Sequence, residues 1–336
     1  MGRSTPEESS DVGGARQLSD ADPSWLSRES FPFTSRFVTL QGQRVHYIDE
    51  GRGPILLFLH GNPTWSFLYR RIIQGLAPAY RCIALDYPGF GLSSATADYD
   101  LTPAAHARIV EEFVRHFELP KFSVVAHDWG GPIGLACALA MPERLAGLVL
   151  FNTFAWPAQG DAHFERFSRL MSGTVGRALV RHMNIMQRMM MSRACSHSAV
   201  STAARRAYAG PFASRESRRA MSVFAREILG SQKFLDDLWR RREVLQDVPA
   251  LLLWAERDIA FKARHRLRLQ TCFRCRTTVL LPHAGHFPQE DCPEMIVAIM
   301  QSWLSQRVTA DGGGEWWSRH TTDLDSAETQ RTAASR

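Results

Sequence analysis

The sequence predicts an α/β fold, built on a mostly parallel sheet of eight strands with helices on both faces. From residue 55 onward, short apolar runs alternate with segments of helical periodicity, which is typical of a doubly wound parallel sheet. Several runs are apolar at every position, as in Ile-Leu-Leu-Phe-Leu at 55–59. A strand without polar alternation fits a sheet that is covered on both faces.

Eight segments are predicted as strands, and the first two have no helix between them. Because a parallel connection needs a long crossover, these two are predicted to form an antiparallel hairpin at one edge of the sheet. The segments are Phe37–Leu40, Val45–Glu50, Ile55–His60, Arg81–Leu85, Phe122–His127, Leu145–Phe151, Ala250–Ala255 and Thr277–Leu281.

One long stretch breaks the alternation of strands and helices. Residues 156–246 contain no convincing strand and have helical periodicity, so they are predicted to form a helical cap inserted after the sixth strand. Helices of the core are predicted near 66–78, 103–118, 131–141, 262–271 and 293–306.

The domain boundaries follow from these segments and from the composition of the two ends. The α/β core is predicted to comprise residues 23–155 and 247–308, on either side of the cap. Residues 1–22 and 309–336 are rich in polar residues and glycine, with few large apolar side chains. Such segments bury too little apolar surface to fold, so both tails are predicted to be disordered.

The bulk composition indicates a globular protein without a membrane partner. Hydrophobic residues make up 45% of the 336 residues and charged residues 22%, and no apolar run approaches membrane-spanning length. The first ten residues are polar and lack the apolar centre of a signal peptide, so we expect a cytoplasmic location.

Charge and cysteine content argue against two other classes of partner. The net charge is +6, but the positive charge is nearly all arginine, dispersed along the chain without a nucleic-acid-binding motif. Cys272 and Cys275 form a C-x-x-C with no second pair, whereas a structural zinc site normally needs four ligands. We therefore expect neither a nucleic-acid partner nor a metal, and thiols in a reducing compartment.

Polar residues follow four of the predicted strands, at the point where each strand ends. Asn62 comes after the third strand, Asp128 after the fifth, Asp258 after the seventh and His286 after the eighth. In a doubly wound sheet the chemistry lies at the carboxyl ends of the strands. The order nucleophile, acid, histidine is the chain order of the triad in α/β-hydrolases.

The segment His-Asp-Trp-Gly-Gly at 127–131 has the form of a nucleophile elbow with an aspartate at its apex. Ala126 and Gly130 supply the small residues that flank the apex. A carboxylate is already charged at neutral pH, so it attacks a saturated carbon without a base. His286, oriented by Asp258, then activates the water that hydrolyses the resulting ester. Backbone N–H groups of Asn62 and Trp129 are predicted to form the oxyanion hole.

Some of these assignments have alternatives in the sequence. Glu256 lies two residues before Asp258, but at the strand end rather than in the loop. His283 competes with His286, and the sequence alone leaves these two nearly balanced. His60 and His127 are interpreted as structural hydrogen-bonding residues. The side chain of Asn62 suits a turn before Pro63 as well as a binding role.

The leaving group is predicted from the donors beside the elbow. Trp129 offers an indole N–H and Asn62 a side-chain NH₂, and both suit a departing halide that needs donors but no acid. An epoxide oxygen would instead need two tyrosine acids from the cap. The cap contains one tyrosine, Tyr208, which argues against an epoxide hydrolase.

Four motifs together resemble the haloalkane dehalogenase family of α/β-hydrolases. The resemblance covers roughly residues 24–306 and is weakest in the cap. The combination of HGNPT with HDWGG is specific, whereas a small-x-nucleophile-x-small turn alone is weak. The motifs are HGNPTWSFLYR at 60–70, DYPGFGLS at 86–93, HDWGG at 127–131 and HFPQED at 286–291.

The resemblance implies a role for each matching residue. Asp128 would be the nucleophile, His286 the base and Asp258 the acid, with Asn62 and Trp129 as halide donors. It further implies a small haloalkane substrate, a halide product and no cofactor, and it leaves room for a homo-oligomer.

The position of the acid distinguishes subgroups of the family. After the sixth strand the chain reads Phe-Asn-Thr-Phe at 151–154, without a carboxylate, so Asp258 is assigned as the acid. The likeness is closest to the subgroup that pairs this arrangement with an Asn–Trp halide site. A second halide tryptophan from the cap is excluded, since 157–238 contain none.

Trp65, Phe154, Trp156 and Phe287 are predicted to line the substrate pocket. For the first three, simple core packing is an equally good interpretation. At the level of function, the alternatives are an epoxide hydrolase or other hydrolase with an aspartate nucleophile, and a non-catalytic α/β-hydrolase that binds a small apolar ligand.

Overall fold

A computed structural model describes residues 23–187 and 200–308. The predicted tails, 1–22 and 309–336, lie outside the described residues, so their predicted disorder stays a prediction. No helix in the two described ranges is long and apolar enough to cross a bilayer.

The predicted eight-stranded sheet is confirmed, with the strands in the order β1-β2-β4-β3-β5-β6-β7-β8. β1 and β2 form the expected antiparallel hairpin at one edge, β2 also pairs antiparallel with β4, and the remaining pairs are parallel. The strands are β1 Arg36–Leu40, β2 Gln43–Glu50, β3 Ile55–Leu59, β4 Arg81–Leu85, β5 Phe122–Asp128, β6 Leu145–Thr153, β7 Ala250–Ala255 and β8 Arg276–Leu281.

The apolar runs in the sequence arise because both faces of the sheet are covered. Leu57 and Val124 point into one apolar cluster, while Phe58 and Val125, one residue further along each strand, point into the other. Helices pack on both faces. Those outside the β6–β7 connection are Arg70–Leu76, Pro103–His116, Gly130–Ala140, Ala263–Gln270, Pro288–Asp291 and Pro293–Val308, with short 3₁₀ turns at Ser66–Tyr69 and Pro142–Arg144.

The helices described between β6 and β7 form the segment that we call the cap. The first cap helix begins after Asp161, whose carboxylate accepts from the backbone N–H of His163 at 3.0 Å and so caps the helix. The division into core and cap, with limits at 156 and 246, remains an interpretation. The cap helices are Ala162–Ser172, Thr174–Met183, Thr202–Ala209, Arg219–Gly230 and Gln232–Arg241, with 3₁₀ turns at Gly210–Phe212 and Arg242–Leu245.

Candidate active site

The turn between β5 and the helix Gly130–Ala140, the elbow helix, presents Asp128 at its apex. Asp128 has a φ of 52°, in the left-handed region that non-glycine residues rarely occupy. The hydroxyl of Thr153 in the neighbouring strand β6 donates to the Asp128 carbonyl at 2.6 Å. Strained backbone of this kind persists where surrounding contacts impose it, and it is concentrated at functional sites.

Glycines around the elbow allow a backbone approach that no side chain would permit. A Cβ on Gly130 would lie 2.1 Å from the Leu59 carbonyl oxygen, and one on Gly131 would lie 1.8 Å from the Thr153 hydroxyl. A Cβ on Gly61 would lie 2.5 Å from the carboxylate oxygen Oδ1 of Asp128. The glycines of the two motifs therefore set the position of the aspartate.

The Asp128 carboxylate is buried and held by backbone donors. The N–H of Asn62 donates to Oδ1 at 2.8 Å, and the N–H of Trp129 also hydrogen-bonds the side chain. Burial raises the pKa of Asp128 above its ordinary value, although His286 and the two N–H groups act in the opposite direction. The two donors of the predicted oxyanion hole thus both bond the carboxylate of Asp128.

His286 and Asp258, which follow different strands, meet in a buried pair. The ring Nδ1 of His286 lies 3.0 Å from Oδ2 and 3.1 Å from Oδ1 of Asp258. Burial lowers the pKa of His286, but the charge and hydrogen bond of Asp258 and the charge of Asp128 raise it, and the net pKa is above its ordinary value. With the Nδ1 proton directed at Asp258, Nε2 remains the basic nitrogen.

Glu256 and His283, the alternative acid and base, lie at the protein surface. Glu256 is exposed at the end of β7, and His283 is exposed with its Nδ1 3.3 Å from a guanidinium nitrogen of Arg257. Asp258, by contrast, is completely buried. The geometry therefore favours Asp258 and His286 as the acid and base.

The two other histidines of the motifs are buried and neutral. His60 Nδ1 lies 3.0 Å from the Gly61 carbonyl oxygen, while Nε2 accepts from the N–H of Tyr87 at 3.2 Å. Burial lowers the pKa of His60 to about 4. Burial also lowers the pKa of His127 well below its ordinary value. His60 therefore fits the interpretation of a structural hydrogen-bonding residue, whereas neither ring nitrogen of His127 has a hydrogen-bond partner among the described residues.

The turn at residues 61–64 is stabilised by Thr64 and not by the side chain of Asn62. Thr64 donates to the Gly61 carbonyl oxygen from both its N–H, at 3.0 Å, and its hydroxyl, at 2.9 Å. The buried side-chain oxygen of Asn62 has no hydrogen-bond partner among the described residues. This arrangement leaves the amide of Asn62 for a ligand beside Asp128.

Phe154 and Phe287, two of the predicted pocket residues, contact the residues of the site. Phe154 packs edge-on against Trp129, with ring centroids 4.9 Å apart. Phe287 packs against His286, with centroids 4.9 Å apart, and belongs to the apolar cluster on one face of the sheet.

Trp65 and Trp156, the other two, are engaged in packing. Trp65 is completely buried beside Phe67, and its indole N–H donates to the Ala207 carbonyl at 3.1 Å. Trp156 packs edge-on against Trp239 of the cap, at 5.4 Å between centroids. These contacts favour the packing alternative for both tryptophans.

Sequence reasoning missed two aromatic side chains at the site. Phe224, from the cap helix Arg219–Gly230, packs edge-on against Trp129 at 5.6 Å. The ring of Phe261 is nearly parallel to that of His286, at 19° and 5.9 Å. Phe261 lies three residues after Asp258, a proximity that was a usable signal, whereas nothing in the sequence near Phe224 connects it to the elbow.

Comparison with known proteins agrees with the fold and the motifs. Residues 54–293 match the family model of the alpha/beta hydrolase fold, so the chain belongs to that family. Haloalkane dehalogenase 2 of Mycobacterium tuberculosis is 38% identical over 270 residues, which are 80% of this chain and 94% of that protein. This chain is therefore a member of the haloalkane dehalogenase family of hydrolases.

Other similar proteins include solved structures and one relative with a different named reaction. The haloalkane dehalogenase DbeA from Bradyrhizobium elkani has a TM-score of 0.76 at 25% identity, covering 83% of this chain and 99% of that one. A putative ancestral haloalkane dehalogenase has a TM-score of 0.75 at 26% identity, covering 82% and 100%. Cis-3-alkyl-4-alkyloxetan-2-one decarboxylase of Shewanella oneidensis is 28% identical, covering 83% and 90%.

Proposed function

We propose that this protein hydrolyses the carbon–halogen bond of small haloalkanes, giving an alcohol, a halide and a proton. The observation that carries the proposal is the Asp128 carboxylate at the apex of the elbow, held by the N–H of Asn62 at 2.8 Å. A hydroxyl nucleophile would need a base for its first step, whereas this carboxylate does not.

In the first step, Oδ2 of Asp128 attacks the halogen-bearing carbon from the side opposite the halogen. The new carbon–oxygen bond forms as the carbon–halogen bond breaks, and the bonding pair leaves with the halide. The amide of Asn62 and the indole N–H of Trp129 stabilise the halide as its charge develops. The product is an alkyl ester of Asp128.

In the second step, Nε2 of His286 takes a proton from water as the water oxygen attacks the carboxyl carbon of the ester. The negative charge develops on Oδ1, to which the N–H of Asn62 already donates, and the N–H of Trp129 is the second donor of the proposed oxyanion hole. Asp258 stabilises the imidazolium that forms. Collapse releases the alcohol with the proton from His286, and the remaining acid proton goes to solvent.

The cap tyrosine does not support an epoxide hydrolase. The hydroxyl of Tyr208 donates to Glu290 Oε1 at 2.5 Å, and both side chains are buried. Glu290 also accepts from Arg70, so the phenol belongs to an ionic cluster rather than to a pair of acids beside Asp128.

A second candidate reaction is suggested by the relatives named as oxetan-2-one decarboxylases. In a β-lactone, Asp128 would attack the saturated ring carbon that bears oxygen, and the ring carboxylate would be the leaving group. The same donors, Asn62 and Trp129, suit that charge. Loss of CO₂ would then form the alkene and expel the Asp128 carboxylate, without water.

Halide release and the accompanying fall in pH test the first reaction against the second. The substrates are 1,2-dibromoethane and 1-bromobutane, and the matched variant is Asp128→Ala. The proposal predicts turnover by the wild type and none by the variant. Folded wild-type protein that releases no halide from either bromoalkane, but forms alkene and CO₂ from a 3,4-dialkyl oxetan-2-one, would favour the second reaction.

The finer subgroup assignment, a cytoplasmic location and self-association are also proposals. The thiols of Cys82, Cys137 and Cys272 are free and buried, which is compatible with a reducing compartment. Light scattering after size-exclusion chromatography measures the oligomeric state directly. The subgroup assignment depends on Asp258 acting as the acid.

A further inference from the structure

A contact between two buried or half-buried side chains joins the cap to the loop that carries the proposed acid. Asp161, which caps the first cap helix, has its Oδ2 2.8 Å from Nε2 of His265. His265 is buried in the first turn of the helix Ala263–Gln270, directly after the acid loop. The contact therefore connects two elements that are 104 residues apart in the chain.

Both ring nitrogens of His265 are used. The backbone N–H of Lys262 donates to Nδ1 at 2.8 Å, so Nδ1 is an acceptor and the proton of the neutral ring is on Nε2. Nε2 then donates to Asp161. The imidazole bridges the start of the cap to the end of the acid loop.

The bridge continues from Lys262 to the acid itself. The ammonium of Lys262 donates to the Asp258 carbonyl at 2.6 Å. Within the same loop, the N–H groups of Ala260 and Phe261 donate to Asp258 Oδ1 at 2.6 and 3.2 Å. The ring of Phe261 in turn packs on His286, so the loop contacts the proposed base through two side chains.

We propose that Asp161 and His265 are positioning residues that hold the acid loop, residues 258–262, in the geometry that orients His286 for ester hydrolysis. The inference rests on the proposed function, because it uses the roles given there to Asp258 and His286. Neither Asp161 nor His265 touches the reacting atoms, and both act through Lys262 and the loop.

The charges around the pair fit this role. Burial raises the pKa of Asp161, but hydrogen bonds from His265, Arg264 and the helix N–H groups outweigh it and lower the pKa to about 2. Burial lowers the pKa of His265, as do the charges of Arg264 and His163, while Asp161 raises it, and the net pKa is below its ordinary value. An ionised acceptor therefore faces a neutral donor at neutral pH.

Loss of the bridge should affect one half-reaction only. The nucleophile is held by the backbone N–H groups of Asn62 and Trp129, which the acid loop does not supply. In the His265→Ala variant we expect an unchanged burst of halide. Ester hydrolysis should be about tenfold slower, the lower end of the loss found when residues that orient metal ligands through hydrogen bonds are removed. The alkylated enzyme should then accumulate during turnover.

Three further variants separate positioning from a general loss of structure. Glutamine is the residue that capping boxes favour at this helix position, and it can accept from Lys262 and donate to Asp161, so His265→Gln should restore hydrolysis. Asp161→Ser keeps a good helix cap but is too short to reach His265, so it should resemble His265→Ala. Arg274→Ala removes an arginine ion pair that is exposed on both sides, to Asp247, and should leave kcat unchanged.

The experiment is rapid-quench halide release from 1-bromobutane combined with intact-protein mass, with thermal unfolding to establish that each variant is folded. The expected result is ester accumulation in His265→Ala and Asp161→Ser, and none in His265→Gln or Arg274→Ala. Wild-type hydrolysis rates in folded His265→Ala and Asp161→Ser, an equal loss of burst and hydrolysis, or no rescue by His265→Gln would each overturn the inference. Wild-type protein without a halide burst would instead contradict the proposed function.

Discussion

The proposed nucleophile and the proposed base of this site are held by different kinds of contact. Asp128 is positioned by backbone: a left-handed turn, close approaches that require glycine, and the N–H of Asn62 at 2.8 Å. His286 is positioned by side chains: Asp258 hydrogen-bonds its Nδ1, and the ring of Phe261 stacks on the imidazole.

This difference separates the two halves of the proposed reaction. Asp128, which is held by backbone contacts, carries out the attack on the haloalkane. His286, which is held by side-chain contacts, carries out the hydrolysis of the ester. Substitutions on the base side should therefore block the second step while the first survives. Substitutions on the nucleophile side should slow the first step as well.

The largest effect is expected on the base side, from Asp258→Asn. The shape is kept, but the amide no longer stabilises the imidazolium or fixes the ring tautomer, and a loss of about 10⁴-fold in the hydrolysis rate is expected. Stopped-flow measurement should still show one equivalent of halide released per site. A folded variant that hydrolyses the ester at the wild-type rate would mean that another carboxylate is the acid. Glu256 would then be the next residue to mutate.

On the nucleophile side, Gly61→Ala should slow the first step by about 10²-fold, since a shift of about 1 Å in a reacting group has that cost. The new Cβ would lie 2.5 Å from Oδ1 of Asp128, so the carboxylate must move. The measurement is the rate of the halide burst. Gly173→Ala, in the cap at an ordinary φ of −64° and with the new Cβ no closer than 3.2 Å to its neighbours, is the control for a glycine substitution away from the site. An unchanged burst in Gly61→Ala would show that this approach does not set the nucleophile.

Asn62→Ala distinguishes the side chain of Asn62 from its backbone. The variant keeps the N–H that holds Oδ1 and removes the amide, so the loss should be that of one hydrogen bond to a charged group, about 1.5–2 kcal/mol or roughly tenfold to thirtyfold. We expect slower halide release and weaker product inhibition by bromide. If bromide inhibits the variant as strongly as the wild type, Asn62 is not a halide ligand.

Acidic pH should separate the half-reactions without mutation. His286 must be neutral to accept a proton, and its pKa is raised, so hydrolysis should fall as the pH drops through a value above about 6.5, by about tenfold per unit below it. Protonated His286 lowers the pKa of Asp128, which keeps the nucleophile charged. The halide burst should therefore persist at pH values where turnover is lost, and a joint loss of both would argue against separate steps.

The backbone half of the site could be predicted from sequence more fully than the other half. Close approach requires glycine, and Gly130 and Gly131 are visible beside Asp128 in the sequence, while Gly61 belongs to the motif at 60–70. The fold was also accessible, because fully apolar strands alternate with helices. The ends of the strands were less predictable. β6 continues to Thr153, two residues past its predicted end, and Thr153 pairs there with Asp128 of β5.

The contacts of the cap were beyond sequence reasoning. Trp65 lies within the first motif and Trp156 shortly after β6, but a position in the sequence does not give the direction of a ring, and both pack on other aromatic residues. Phe224 reaches Trp129 from a cap helix with no local motif. The Asp161–His265 contact likewise joins segments whose meeting depends on how the cap sits on the core.

Trapping of the covalent intermediate tests the central claim most directly. In His286→Phe the base is removed while Asp128 and its donors remain, so incubation with 1-bromobutane should release one halide per site and add one butyl group to the protein, located on Asp128 by peptide mapping. Folded His286→Phe that gains no mass, or that releases halide over many turnovers, would contradict the two-step reaction through Asp128.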